Sequence, residues 1–192
     1  MREAPTLEEV IKQLIKLPKF WISLLYGSLL SFVPIVNIFA FGYLYQVFRG
    51  VQHLGVPALP PWHNWRELFL DGVRFTIVWI CYWIVPILLA AVFSSTLTHL
   101  GLGVFSGILF FSIILLSNIL FITALSHYKI QENFKVLLSF RYIFNNARTV
   151  FPDLIIPSVI FLGFFLWLLP FYGIGLFGGF LLLVTCASLH HY

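Results

Sequence analysis

The sequence predicts an all-α integral membrane protein of three helical hairpins joined by amphipathic connector helices at the membrane surface. Three observations lead there. The chain of 192 residues is 60% apolar and only 9% charged, against about 25% charged in soluble domains, and a chain this short cannot bury so much apolar surface in one core. The apolar residues come in long runs, interrupted at Pro34, in the uncharged linker Ser94 to Gly103, and at Pro170. The 11 Lys and Arg fall outside those runs, in three short stretches. The 22 Phe and 6 Trp suit a surface facing acyl chains, with rings at headgroup level.

Residues 1–19 form the first element. Thr6-Leu7-Glu8-Glu9 has the capping-box pattern. Val10, Ile11, Leu14 and Ile15 then share one helical face, away from Lys12, Gln13 and Lys16. An amphipathic helix on the membrane surface and a helix packed on the body of the protein both fit this pattern. With three acidic residues and no long apolar run, the segment does not read as a secretory signal. Residues 20–192 read as a single polytopic membrane domain.

The first apolar run, Phe20 to Phe48, is split by Pro34 and Asn37 into halves of roughly 21 Å each as helix, short of the roughly 30 Å hydrocarbon core. It is either a kinked span or a re-entrant hairpin. The second and third runs, Phe75 to about Ser94 with Pro86 inside and Val104 to Leu125, are long enough to span. The last, Leu154 to Leu189, is divided by Pro170, and the Gly175-x-x-x-Gly179 spacing after it is read as turn and packing glycines.

Charge placement chooses between the two forms of the first run. A kinked span separates Arg2, Lys12, Lys16 and Lys19 from the seven later cations, whereas a hairpin leaves all of them on one side. The positive-inside rule favours the hairpin, with both termini and the basic connectors cytoplasmic. The irregular tip then needs cover, part of which Asn37 can supply. The first connector, Arg49 to Arg74, carries Pro60-Pro61-Trp62-His63-Asn64-Trp65, with two Trp suited to headgroup anchoring and Asp71 placed to pair with Arg74. The second, His127 to Asp153, places Arg141 on the same face as Ile130, Phe134, Leu137 and Leu138, from which it can snorkel to headgroups.

Pro34-Ile35-Val36-Asn37, Gly42-Tyr43-Leu44, Val47-Phe48-Arg49-Gly50, Leu59-Pro60 with Trp62, Trp65, Leu68-Phe69 and Asp71-Gly72 follow one another in a fixed order. Downstream come Ala124-Leu125-Ser126-His127-Tyr128, Phe134, Phe140-Arg141, Ala187, His190 and Tyr192. In these residues the chain resembles an uncharacterised family of bacterial and archaeal multi-span membrane proteins, a domain of unknown function. Its pattern is roughly P-I-x-N, then G-Y, then L-P-x-W-x-x-W-x-x-L-F-x-D-G. The resemblance runs from about Lys19 to Tyr192 and implies a prokaryotic membrane protein, in the plasma (inner) membrane. It implies no activity, ligand or catalytic residue. Relatives often continue with a Gly-Gln-x-Tyr-like tail, which is missing after His190-His191-Tyr192.

No catalytic constellation is visible: there is no GxSxG, HExxH or phosphate loop. Glu67 and Asp71, flanked by Arg66 and Arg74, read as a charge-balanced surface helix. Cys81 and Cys186 lie in apolar runs and outside any CxxC, as buried small hydrophobes do. The apolar runs hold no Asp, Glu, Lys or Arg, which counts against ion-coupled transport. Their polar residues, Asn37, Ser112, Ser117, Asn118, Thr185 and Ser188, are explained by interhelical hydrogen bonds. His127 and His190 end apolar segments beside Tyr, as an interfacial belt does, and their spacing matches no zinc signature.

The functional expectation is a non-enzymatic scaffold or accessory subunit of a membrane complex, without cofactor, metal or nucleic-acid partner. Its partners are membrane lipids and a larger complex or a second copy. Trp62, His63, Trp65, Arg66, Asp71, Arg74 and Arg141 are the expected docking residues. A small-solute channel lined by Pro34, Asn37 and Asn118 at the hairpin tip is the alternative. A haem- or chlorophyll-associated subunit using His127 or His190 is a more distant one.

Overall fold

The computed structural model describes residues 7–33, 35–54, 57–131, 139–167 and 172–190. Among these every regular element is helical: α1 (Leu7–Lys16), α2 (Phe20–Ser31), α3 (Asn37–Leu54), α4 (Trp65–Trp79), a π-turn (Ile80–Ile84), α5 (Val85–His99), α6 (Gly103–Gln131), α7 (Phe140–Trp167) and α8 (Tyr172–His190). The chain forms two compact units, one of residues 1–76 with 156–192 and one of residues 77–155.

In the first unit α2 and α3 fold back on each other. The Tyr43 hydroxyl donates to Ser23 Oγ at 3.1 Å, and the two residues stand equally far in sequence from Val33, where the chain turns. Both helices pack on α8, and α1 packs on α2 and α8. The first half of α3 is mostly apolar, and Ala40, Phe41, Tyr43, Leu44, Tyr45, Val47 and Phe48 are all buried, as befits a helix largely covered by protein. Phe41, Phe75 and Phe161 surround Phe180 with ring centroids at 6.1, 5.9 and 5.0 Å.

α2 inverts the usual amphipathic order. Its buried residues are Phe20, Ser23, Gly27, Ser28 and Ser31. Trp21 (66%), Leu25 (66%) and Leu29 (63%) are its most exposed, and Ile22 and Tyr26 are exposed as well. Between α1 and α2, Lys19 adopts a left-handed backbone with φ 68°. In α1 Leu14 is buried while Ile15 is exposed, and Lys12 pairs with Glu8. Thr6 of the expected capping box lies outside the described residues.

In the second unit α5 and α6 are antiparallel. Gly101, at φ +80°, ends α5; its N–H bonds the Thr98 carbonyl and the Leu102 N–H the Leu97 carbonyl, both at 3.0 Å. That is the Schellman arrangement, which favours glycine for its left-handed backbone. The expected linker from Ser94 is therefore helix as far as His99. Its hydroxyls do not break the helix, because Thr96 and Thr98 bond back to the carbonyls of Val92 and Ser94. Further along, Pro86 has no N–H and its ring would crowd the carbonyl four residues back. The chain widens just before it, with the Val85 N–H reaching the Ile80 carbonyl five residues back.

Two connectors differ from expectation. Helix starts at Trp65, so α4, the π-turn and α5 form one continuous helical stretch of 35 residues. It starts again at Phe140 and runs through Pro152 and Pro157 to Trp167, so much of the second connector is α7. Two helices, Trp65–His99 and Gly103–Leu125, are long and apolar enough to cross a membrane, with mean hydropathies of 2.3 and 2.5 over their most apolar 18-residue windows.

Candidate functional site at the crossing of α3 and α4

Two glycines define the crossing. A Cβ on Gly42 would overlap the Leu68 carbonyl and approach the Gly72 nitrogen, and a Cβ on Gly72 would overlap the Ile38 carbonyl. Main chain therefore meets main chain here, which only glycine permits. Leu68 is buried beside this contact.

That approach carries Asp71, one residue before Gly72, into the protein, where it is 4% exposed. A buried carboxylate is tolerated only if it is paired and hydrogen-bonded. Arg74 Nη1 donates to Asp71 Oδ1 at 3.1 Å and Gln46 Nε2 donates to Oδ2 at 3.2 Å. Arg49 Nη1 lies 3.9 Å from Oδ1. Gln46 and Arg49 come from α3, Asp71 and Arg74 from α4, so the carboxylate ties the two helices. Two guanidinium groups around one carboxylate leave an excess positive charge, and both arginine side chains are about two-fifths exposed.

An aromatic layer adjoins the node. The Trp62 indole stacks on the Tyr43 ring at 4.0 Å with a 6° tilt, and Phe177 lies near both rings at about 6 Å. Trp62 Nε1 is buried without a hydrogen-bond partner. Trp65 packs edge-on against Phe39 at 5.5 Å yet remains half exposed.

A sequence profile of the family described as "Protein of unknown function (DUF4013)" matches residues 26–187. The chain belongs to this family. The matched region contains the whole crossing, so the node and its glycine contact lie within the family's domain. No curated protein and no solved structure matches the chain.

The structure gathers Asp71, Arg74, Trp62 and Trp65 of the expected docking residues and corrects two readings of them. Asp71 belongs to a buried node rather than a charge-balanced surface helix, because the Gly42–Gly72 contact draws it inward. Trp62 is not a headgroup anchor, because its ring fills the space over Tyr43. His63 and Arg66 are exposed beside them. Arg141 and Asn118 lie in the second unit. Asn37 is buried at the start of α3 with Oδ1 unpartnered. Pro34 and the side chains of His127 and His190 lie outside the described residues. Gln46 is a further member that carried no signal in the sequence. Gly42, Arg49 and Gly72 were visible only as members of the family pattern.

The polar residues of the apolar helices bond mainly to their own helix. Ser112, Ser117 and Thr185 donate to carbonyls four residues back. Asn118 is an exception: Trp83 Nε1 donates to its Oδ1 at 2.8 Å, across from the stretch just before α5. Chemically, the crossing can fix a connector and present excess positive charge. The Asp71 carboxylate is held by two hydrogen-bond donors, Gln46 and Arg74, with Arg49 as a longer ion-pair contact. Among the described residues no three His, Cys, Asp or Glu side chains converge for a metal.

Proposed function

We propose that the chain is an integral membrane protein, acting as a non-enzymatic scaffold or accessory subunit of a larger membrane complex. The observation that carries the membrane reading is the inverted face of α2, with serines and glycine against protein and Trp21, Leu25 and Leu29 outward. Water would make that arrangement unfavourable on both faces. Lipid makes it favourable, since small residues allow close helix contact and large apolar ones meet acyl chains. The same holds for Leu88, Leu89, Val92 and Phe93 on α5 and Val104, Phe105 and Ile108 on α6, all more than half exposed. Only 22% of the most apolar window of Trp65–His99 is buried, unlike the core helix of a soluble protein.

Three hairpins with cytoplasmic open ends follow from the charges. The turns at Val33 and Gly101 and the Pro170 region carry no Lys or Arg. The scaffold reading rests on the crossing of α3 and α4. It fixes the connector ahead of α4 and leaves His63, Trp65, Arg66, Glu67, Phe69 and Leu70 exposed as a rim of aromatic, apolar and polar side chains. A channel would need Asn37 and Asn118 to line a path, but both are buried and Asn118 is engaged by Trp83.

Three experiments test this. Alkaline carbonate should leave the protein in the membrane pellet; release into the supernatant ends the membrane reading. Gentle-detergent purification followed by mass spectrometry should recover a defined partner or a second copy, lost with Trp65→Ala/Arg66→Ala. Recovery as a lone protomer that conducts small solutes in liposomes would replace the scaffold with the channel. In a Cys-free background, Ile35→Cys, at an exposed position of the first tip, should react with an impermeant thiol reagent only from the periplasmic side.

A further inference from the structure

The first half of α7 carries a stripe of alternating cation and aromatic side chains. Arg141, Phe144, Arg148 and Phe151 recur every three or four residues and so lie along one helical face, and all four are exposed. Ile143 and Ala147, on the adjoining face, are buried, and Ala147 lines one of the grooves described next. Beside the stripe run two grooves within the second unit. One, of about 320 Å³, is lined by Arg141 and Phe144 with Cys81, Tyr82, Pro86 and Leu120. The other, of about 430 Å³, is lined by Phe144, Arg148, Phe151 and Pro152 with Leu116. Phe144 is common to both, and each has one arginine on an otherwise mainly apolar wall.

Among the residues whose side chains are described, which do not include Asp153, no carboxylate pairs with either arginine. Arg148 stands beside Leu116, close to the middle of α6. A cation at that level of an apolar helix needs an anion or a route to the headgroups. Seven residues separate the arginines, about 10 Å along the axis, with apolar groove between them.

We infer that this face of α7 binds an anionic glycerophospholipid, its headgroup phosphate held by Arg141 and Arg148 and its acyl chains laid in the grooves around Phe144. The charge chooses the occupant. An apolar peptide would leave both guanidinium groups unpaired, and a zwitterionic lipid would bring a cation of its own beside them. A basic surface between membrane helices suits an anionic headgroup. The inference rests on the membrane reading of the preceding section.

The test is lipid retention by the full chain. Protein purified in mild detergent is given phosphatidylglycerol or phosphatidylcholine with identical chains, and bound lipid is counted by native mass spectrometry. Two arginines correspond to roughly thirtyfold preference for the anionic lipid. Arg141→Gln/Arg148→Gln should abolish that preference and Arg141→Lys/Arg148→Lys should keep most of it. Lys16→Gln/Lys19→Gln, which removes equal charge from residues that line neither groove, should leave it unchanged. Equal retention of the two lipids, or a preference that survives the double Gln change, overturns the inference. The same variants are extracted with carbonate. A protein that resists extraction but shows no preference loses the lipid site alone, and one that is released loses the membrane reading as well.

Discussion

At the crossing of α3 and α4, Gly42 and Gly72 bring main chain against main chain, and the buried Asp71 bridges two helices. In the α5–α6 pair, Gly103 and Gly107 meet nothing within 4 Å, and the helices are tied by side chains. There Ser94 and Ser106 bond each other near the turn, Thr98 donates to Ser106 Oγ at 3.0 Å, and Trp83 donates to Asn118. The first region cannot change spacing without breaking backbone geometry. The second can lose any one bond and keep its packing. Glycines in these helices thus have unequal meaning, and what faces each of them decides it.

Four substitutions sharpen this contrast, each read as thermal stability of the purified chain in detergent. Gly72→Ala should be the most damaging, about 3 kcal/mol, because the new methyl meets the Ile38 carbonyl rather than a movable side chain. Asp71→Asn should follow at about 2 kcal/mol. It leaves two arginines facing each other, and the cost of breaking a buried pair is reduced by the exposure of both guanidinium groups. Asn118→Leu should cost about 1 kcal/mol, the typical worth of one interhelical bond plus an unpaired indole N–H. Gly107→Ala should raise stability by up to about 0.5–1 kcal/mol, since the position is open and alanine is the better helix former. If Gly107→Ala proved as harmful as Gly72→Ala, the contrast between the two regions would fail.

The turning points were legible because they are local. Pro34 and Asn37 mark the first tip, the Gly101 region marks the second, and one residue spacing pairs Asp71 with Arg74. The site itself was legible only in part. Its members sit on two helices separated by a connector, and no periodicity says that position 42 faces position 72. Gln46 and Arg49 reach Asp71 through that same long-range packing. Trp62 was misread for a related reason: a connector Trp suits a headgroup as well as it suits a ring stack, and only the position of Tyr43 distinguishes them. The early start of α7 escaped because Arg141, Asn145, Asn146 and Arg148 make its first turns polar. Ile143, Ala147 and Leu154 nevertheless give it a buried stripe.

The glycine contacts also carry a genetic consequence. At Gly42 and Gly72 the obstacle to a larger residue is chiefly the neighbouring backbone, which no codon change on the opposite helix can trim. Intragenic suppressors of lesions there should be absent from the facing positions. At Gly27 the obstacle is the ring of Phe177, which a smaller residue removes. A Gly27→Ala allele should therefore be rescued by Phe177→Leu, so two kinds of closely packed glycine become separable by second-site selection alone.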